Sequence, residues 1–119
     1  MGQPVAMFEV ISPDAGRARK FYTELFGWTV TSDPAWGDWS AVDTGAGEGA
    51  VGGGIGASQQ PGDTGVKFYV RVDDLAEYLR RAGELGGTTV LEPMDLPEGF
   101  GRIALFTDPD GNPVGLWSD

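Results

Sequence analysis

The sequence predicts an α+β fold built from two tandem βαβββ modules, each with one helix and four strands. Two observations predict it. The halves of the 119-residue chain both follow the order strand, aspartate, helix, glycine and three strands. Neither half alone has enough apolar side chains for an independent core, so the two are expected to form one domain. That domain covers residues 1–119, with module one at about 4–57, a linker at about 58–64 and module two at about 65–119.

The first module opens with an apolar, β-branched run over residues 5–12, which is typical of a strand. Pro13 and Asp14 favour the start of a helix, and Gly27 is typical of a helix end. Between them, apolar residues recur at helical spacing: Ala18, Phe21, Tyr22, Leu25 and Phe26. Three strands are then predicted at residues 28–32, 38–43 and 50–56.

The second module begins with the most strand-like run of the chain, over residues 66–72. Asp74 and Glu77 fit a capping box, and Gly86 and Gly87 are expected to end the helix. The predicted buried stripe of this helix is Leu75, Tyr78, Leu79, Ala82 and Leu85. Strands follow at residues 88–92, 101–107 and 113–117, the last two joined by a hairpin turn that starts at Asp108.

Composition excludes several classes of partner and site. Eighteen acidic against eight basic residues give a formal charge of −10, which disfavours nucleic acid and anionic membrane surfaces as partners. Cysteine and histidine are absent, so disulfides, thiolate nucleophiles, histidine-based triads and the commonest transition-metal ligand are excluded. The N-terminus has no signal-peptide pattern and no apolar run is long enough to span a membrane, so we expect a cytoplasmic protein.

A glycine-rich stretch imitates a nucleotide-binding motif. Residues 47–52 match G-x-G-x-x-G. The glycine-rich residues 53–56 that follow cannot form the helix that would hold a pyrophosphate. Dinucleotide binding is therefore not expected. The stretch instead predicts a turn followed by a strand whose glycines let a ligand or a neighbouring chain approach closely.

Four segments carry a resemblance to the vicinal oxygen chelate superfamily, which includes glyoxalase I, extradiol dioxygenases and bleomycin-type resistance proteins. They are Phe8–Val10 before Asp14, Phe21–Trp28 at the helix end, Gly65–Asp73, and the hairpin Ile103–Trp117. The similarity covers nearly the whole chain. It implies a half-open, eight-stranded, barrel-like sheet around one cavity, with the two main helices outside. It also implies a homodimer, because dimers are common among similar proteins.

Enzymes of this superfamily hold a divalent metal through ligands on the first and last strand of each module. The resemblance places those positions at Met7, one of Gly52 to Gly54, Lys67 and Gly115, where the usual residues are His, Gln or Glu. A thioether, glycines and a cation are poor substitutes for these ligands. We therefore expect no metal and no cofactor, and no metal-dependent glyoxalase, dioxygenase or epoxide-opening activity.

Strand alternation predicts which side chains face the cavity. If Met7 faces the cavity, Glu9 and Ile11 on the same strand face it as well. If Lys67 faces the cavity, so do Tyr69 and Arg71. The candidate ligand-binding residues are Met7, Glu9, Ile11, Trp39, Lys67, Tyr69, Arg71, Phe106 and Trp117, with Arg102 and Ala104 as weaker candidates. Lys67 and Arg71 suit an anionic or carbonyl oxygen, and Glu9 suits a cationic nitrogen. Alternatively, Glu9 simply neutralises Lys67 or Arg71 in an inherited hollow.

Three functions follow from these observations. The first is a metal-independent binding protein, similar to the bleomycin-type resistance proteins, that sequesters a small aromatic or mixed-charge compound. The second is a metal-independent isomerase or lyase with Glu9 as general base and Lys67 or Arg71 as oxyanion stabiliser. The third is a structural or regulatory module with a vestigial pocket. The expected partners are a small-molecule ligand and a second copy of the chain.

Overall fold

A computed structural model describes residues 2–60 and 62–119. Met1, which precedes the predicted first module, and Pro61, in the predicted linker, lie outside this part. The regular elements are β1 (Val5–Ser12), α1 (Ala15–Phe26), β2 (Thr29–Ser32), β3 (Trp39–Asp43), β4 (Gly52–Ala57), β5 (Gly65–Arg71), α2 (Leu75–Glu84), β6 (Thr88–Asp95), β7 (Arg102–Thr107) and β8 (Pro113–Ser118). The α+β class and the βαβββ order of both modules are confirmed. No helix in the described residues is long and apolar enough to cross a membrane.

The chain divides into two compact units. The first unit is residues 7–66, and the second unit is residues 1–6 together with residues 67–119. In the first unit the strand order is β2-β3-β4-β1, with β1 parallel to β4 and the other neighbours antiparallel. In the second unit the order is β5-β8-β7-β6, with β5 parallel to β8 and the other neighbours antiparallel. The second unit therefore repeats the pairing pattern of the first.

Helix α1 begins and ends at the residues that the sequence predicts. Its N-cap is Asp14, whose carboxylate accepts a hydrogen bond of 2.9 Å from the backbone N–H of Arg17. Its C-cap is Gly27, with φ at 71°, a left-handed conformation that glycine adopts without strain. The core beneath it consists of Val10, Val42 and Ile55, with Phe8, Ala18, Tyr22, Trp28 and Val30 packed around them.

Much of the apolar stripe of α1 is not buried. Phe21, Leu25 and Phe26 are 56%, 59% and 56% exposed, while Ala18 and Tyr22 face the core. Tyr22 stacks on Trp28 with ring centroids 5.5 Å apart, and this stack fills the space between helix and sheet. The exposed residues lie beside that stack, so they form an apolar surface on the helix.

Helix α2 covers the core of the second unit. This core contains Val72, Leu75, Leu79, Ala104 and Leu116. The Asp74 carboxylate caps the helix by accepting a hydrogen bond of 3.1 Å from Glu77 N–H, as predicted. The Glu77 carboxylate, however, pairs with Arg80, and this hydrogen bond lowers the pKa of Glu77. Leu85, predicted in the buried stripe, is 77% exposed because the helix ends at Glu84.

Candidate functional site

The first candidate site lies on the face of the first unit that points away from α1, and its floor is β4. Gly54 and Gly56 face this side, while Ile55 between them faces the helix. The indole ring of Trp39 lies against both glycines. A β-carbon on Gly54 would overlap its six-membered ring, and one on Gly56 would lie 2.7 Å from its Cδ1 atom. The glycines thus leave the space that the indole fills, whereas the sequence predicts that a ligand or a neighbouring chain approaches this strand.

Glu9 holds this indole in place. The Nε1–H group of Trp39 donates a hydrogen bond of 3.1 Å to Oε2 of Glu9, which lies opposite Gly54 in the β1–β4 pairing. Both side chains are half-buried, and hydrogen bonds to charged groups are stronger where water is partly excluded. The pair therefore presents a flat aromatic surface next to a negative charge.

A second tryptophan lies beside the first. Trp36 ends a short 3₁₀ turn that Asp33 caps, and its ring meets that of Trp39 edge-on, with centroids 6.1 Å apart. The residue before Trp39, Asp38, pairs with Arg19 of α1 at 3.4 Å. The capped turn that ends at Trp36 and the ion pair of Asp38 next to Trp39 hold the two indoles in a defined arrangement.

The second unit repeats the ring-over-glycine arrangement with other residues. Tyr69 is 3% exposed and lies opposite Gly115 in the β5–β8 pairing. A β-carbon on Gly115 would overlap the Tyr69 ring. In each unit, an aromatic side chain therefore occupies the space above a glycine of the last strand.

Arg71 and Trp117 form a second cluster on this face of the second unit. The guanidinium of Arg71 lies 4.8 Å from the Trp117 ring centroid and pairs with the carboxylate of Asp119. Trp117 Nε1–H donates a hydrogen bond of 2.9 Å to the carbonyl of Phe100. Arg71 is thus already paired with a carboxylate and a ring, which weakens its predicted role as an anion-binding group.

The sequence-predicted residues fall into two sets, one on each unit. The alternation on β1 and the position of Trp39 place Met7, Glu9, Ile11 and Trp39 on one face of the first unit. Alternation on β5 and its pairing with β8 place Lys67, Tyr69, Arg71 and Trp117 on one face of the second unit. The single cavity predicted for all of them stays a prediction.

Phe106 does not belong with the second set. It packs against the core beneath α2, on the opposite face of the sheet, and Ala104 is buried there as well. The β7–β8 register explains the difference, because it pairs Phe106 with Val114 and places Leu105 opposite Gly115. The β7 residues on the Tyr69 side are therefore Ile103 and Leu105.

The residues at the predicted metal positions do not fit a divalent ion. In the first unit, Met7 lies opposite Gly52, so this strand pair offers a thioether and a position without a side chain. In the second unit, Lys67 brings a cation and Gly115 again has no side chain. In residues 2–60 and 62–119, no three acidic, histidine or cysteine side chains are grouped as a metal site would require.

Sequence reasoning missed two features of the first site. The floor of Gly54 and Gly56 became recognisable only once the register brought Trp39 over it. The 3₁₀ turn that positions Trp36 was also missed, although Asp33 followed by Pro34 is a turn-start signal in the sequence.

Comparison with known proteins gives one family. The family described as "Glyoxalase-like domain" matches residues 7–117. The anthracycline biosynthesis protein DnrV of Streptomyces peucetius is 32% identical over 129 aligned positions, which cover 94% of this chain and 46% of that protein. The putative glyoxylase CFP32 of Mycobacterium tuberculosis is 30% identical over 108 positions, covering 87% of this chain and 41% of that protein. The chain spans less than half the length of these relatives.

Solved structures share the fold. A glyoxalase/bleomycin resistance protein/dioxygenase superfamily member from Vibrio splendidus superposes with a TM-score of 0.65 at 18% identity, covering 99% of this chain and 100% of that one. At this level of identity the likeness establishes the fold alone.

Proposed function

Because the chain belongs to the glyoxalase-like domain family, we propose that it is a metal-independent binding protein that sequesters a small aromatic compound. The observation that carries the proposal is the indole of Trp39, seated on a glycine floor and held by Glu9. A preformed aromatic surface beside a fixed charge binds a small molecule without losing side-chain entropy.

The position of the Glu9 carboxylate beside the indole suits an aromatic cation as ligand. An aromatic ring would stack on the indole of Trp39, and a protonated nitrogen would pair with the Glu9 carboxylate. The mixed-charge alternative depends on Lys67 and Arg71, but Arg71 is paired with Asp119. One relative is named for anthracycline biosynthesis, which supports a role with small molecules.

Three probes with one ring and different charges test this proposal: benzylamine, benzyl alcohol and benzoate. We expect calorimetric titration to give the order benzylamine, benzyl alcohol, benzoate in decreasing affinity. Glu9→Gln should weaken benzylamine binding about ten- to hundredfold, because a charge-assisted hydrogen bond is lost. Glu24→Gln is the matched control, since it removes the same charge from the exposed face of α1.

The result that would contradict the proposal is equal affinity for the three probes, or equal effects of Glu9→Gln and Glu24→Gln. Native mass spectrometry of the purified protein gives an independent reading. A retained organic molecule without metal agrees with sequestration, whereas a stoichiometric divalent metal overturns the metal-independent proposal.

The alternative function is a metal-independent isomerase or lyase with Glu9 as base. It is favoured by the defined position of the Glu9 carboxylate beside a surface that can hold a ring. NMR analysis of a retained ligand after incubation distinguishes the two functions, because an isomerase changes the structure of its ligand without changing the mass. An unaltered ligand supports sequestration, while conversion that stops in Glu9→Gln with binding preserved supports the enzyme.

We also propose that two copies associate through the exposed apolar residues of α1. Phe21 and Leu25 are both more than half exposed and adjacent on the helix surface. Light scattering should give a mass about twice the 12.6 kDa of one chain. The double variant Phe21→Ser/Leu25→Ser should give single chains, and Lys20→Ser/Glu24→Ser, which changes neighbouring polar positions, should remain a dimer. A wild-type protein with the mass of one chain would refute this interface.

A further inference from the structure

A separate cavity of about 300 Å³ lies on the helix side of the second unit. Its floor is formed by Val70, Phe106 and Leu116 from three strands, and α2 supplies Tyr78 and Ala82 as a wall. This is the face of the sheet opposite to Tyr69 and Trp117. The volume is at the lower end of the range of about 300–1,000 Å³ in which small organic ligands bind.

The end of α2 explains why the space is open. The helix stops at Glu84, and Ala82 in its last turn presents only a small side chain to the cavity. Gly87 then continues the chain without a side chain, and a β-carbon there would lie 2.7 Å from the carbonyl oxygen of Thr107. No large residue can therefore be placed at position 87 to fill the space, and Leu85 at the cavity edge is left mostly exposed.

The rim carries one cation that is not paired with a carboxylate. Arg81 lies with its guanidinium 5.0 Å from the Tyr78 ring centroid, and among the described residues it makes no ion pair within 4.0 Å. The neighbouring Arg80 differs, because it pairs with both Glu77 and Glu84. Arg81 therefore keeps its fork of N–H donors available to a ligand at the mouth of the cavity.

The carboxylate of Asp108, on the rim, accepts hydrogen bonds from its own turn. Asp108 accepts hydrogen bonds from the side chain and the backbone of Asn112 and from the backbone N–H of Asp110, each 2.9 Å long. Several hydrogen bonds lower the pKa of Asp108, and the bond from the Asn112 side chain has the largest effect. The oxygens of Asp108 are thus held by the donors of its own turn, and Arg81 is the group on the rim that can donate hydrogen bonds from a positive charge.

We propose that this cavity is a second ligand site, which binds a small amphipathic carboxylate. The hydrocarbon part fills the space over Phe106 and Leu116, and the carboxylate pairs with the Arg81 guanidinium. The lining between the strands and α2 is mainly apolar, so a hydrocarbon chain gains free energy by covering it from water. Arginine favours a carboxylate because its planar fork matches both oxygens.

Octanoate is the probe that tests this site, with calorimetry as the measurement. We expect saturable binding to one site per chain, weakened about tenfold or more by Arg81→Gln. Arg80→Gln is the matched control on the same helix and should bind octanoate like the wild type. Ala82→Leu, which fills the cavity while keeping both arginines, should abolish binding. The uncharged probe 1-octanol should bind more weakly and should not respond to Arg81→Gln.

Equal losses in Arg80→Gln and Arg81→Gln would overturn the proposal, because they would indicate a general effect of positive charge on α2 and not a contact with Arg81. Binding that survives Ala82→Leu in a folded protein would place the octanoate elsewhere and overturn it too. Arg81 is exposed, so its variant tests the site even where Ala82→Leu does not fold. Benzylamine titration of these variants reports the Glu9 site, so either proposal can fail without the other.

Discussion

Replacing Gly54 with alanine is expected to abolish benzylamine binding and to lower the free energy of unfolding by about 1–3 kcal/mol. A β-carbon at this position overlaps the six-membered ring of Trp39. The ring cannot stay on the floor, so its Nε1–H moves away from Glu9 and the aromatic surface is lost. Near-ultraviolet circular dichroism reports the displaced indole, and calorimetry reports the loss of binding.

A control and a double variant make this result specific. Gly83 is a helical glycine with no atom within 4 Å of an added β-carbon, so Gly83→Ala should leave binding intact and stability equal or higher. In Gly54→Ala/Trp39→Ala the overlap is gone, so the combined stability loss should be smaller than the sum of the single losses. Wild-type benzylamine affinity in Gly54→Ala would show that the indole position does not matter for binding.

Truncating Ile55 to alanine is expected to cost about 2–5 kcal/mol of stability, the largest effect of any single change considered. Ile55 is 0% exposed and lies on β4 between Val10 of β1 and Ser40 of β3. Removing three carbons from such a position leaves a cavity that its paired strands cannot close. Urea denaturation with an unchanged m-value is the appropriate measurement.

Ile55→Val is the matched control, with an expected loss of about 0.5–1.5 kcal/mol because only one methyl group is removed. Both variants should bind benzylamine with wild-type affinity while folded, since Ile55 faces the helix and Gly54 beside it faces the site. A loss below about 1 kcal/mol for Ile55→Ala would mean that the core relaxes around this position.

The sequence could predict most of the elements because local signals coincide with them. Asp14 and Asp74 cap the helices at the predicted starts, and Gly27 ends α1 in the left-handed conformation. Alternation on β1 and β5 also places Glu9 with Met7 and Tyr69 with Arg71, each pair on one face of its strand. These signals lie within single segments, so they can be recognised without knowing which strands pair with each other.

What depended on pairing between segments could not be predicted. Phe106 was assigned to the wrong set because its face depends on the β7–β8 register, and two register shifts also let β6 extend to Asp95. The exposure of Leu25 depends on how α1 packs on the sheet, where Tyr22 and Trp28 occupy the core side of the helix. The role of Gly54 depends on Trp39, which lies fifteen residues earlier in the chain.

The contact between Tyr69 and Gly115 also constrains how this chain can change over generations. Position 115 is one of those at which the resemblance expects a metal-binding side chain, and any such side chain begins with a β-carbon that the Tyr69 ring excludes. A substitution at 115 is therefore harmful until position 69 has first changed to a smaller residue. The order of mutations is thereby restricted: a donor side chain can arise at position 115 only after the buried ring of Tyr69 has been replaced by a smaller side chain.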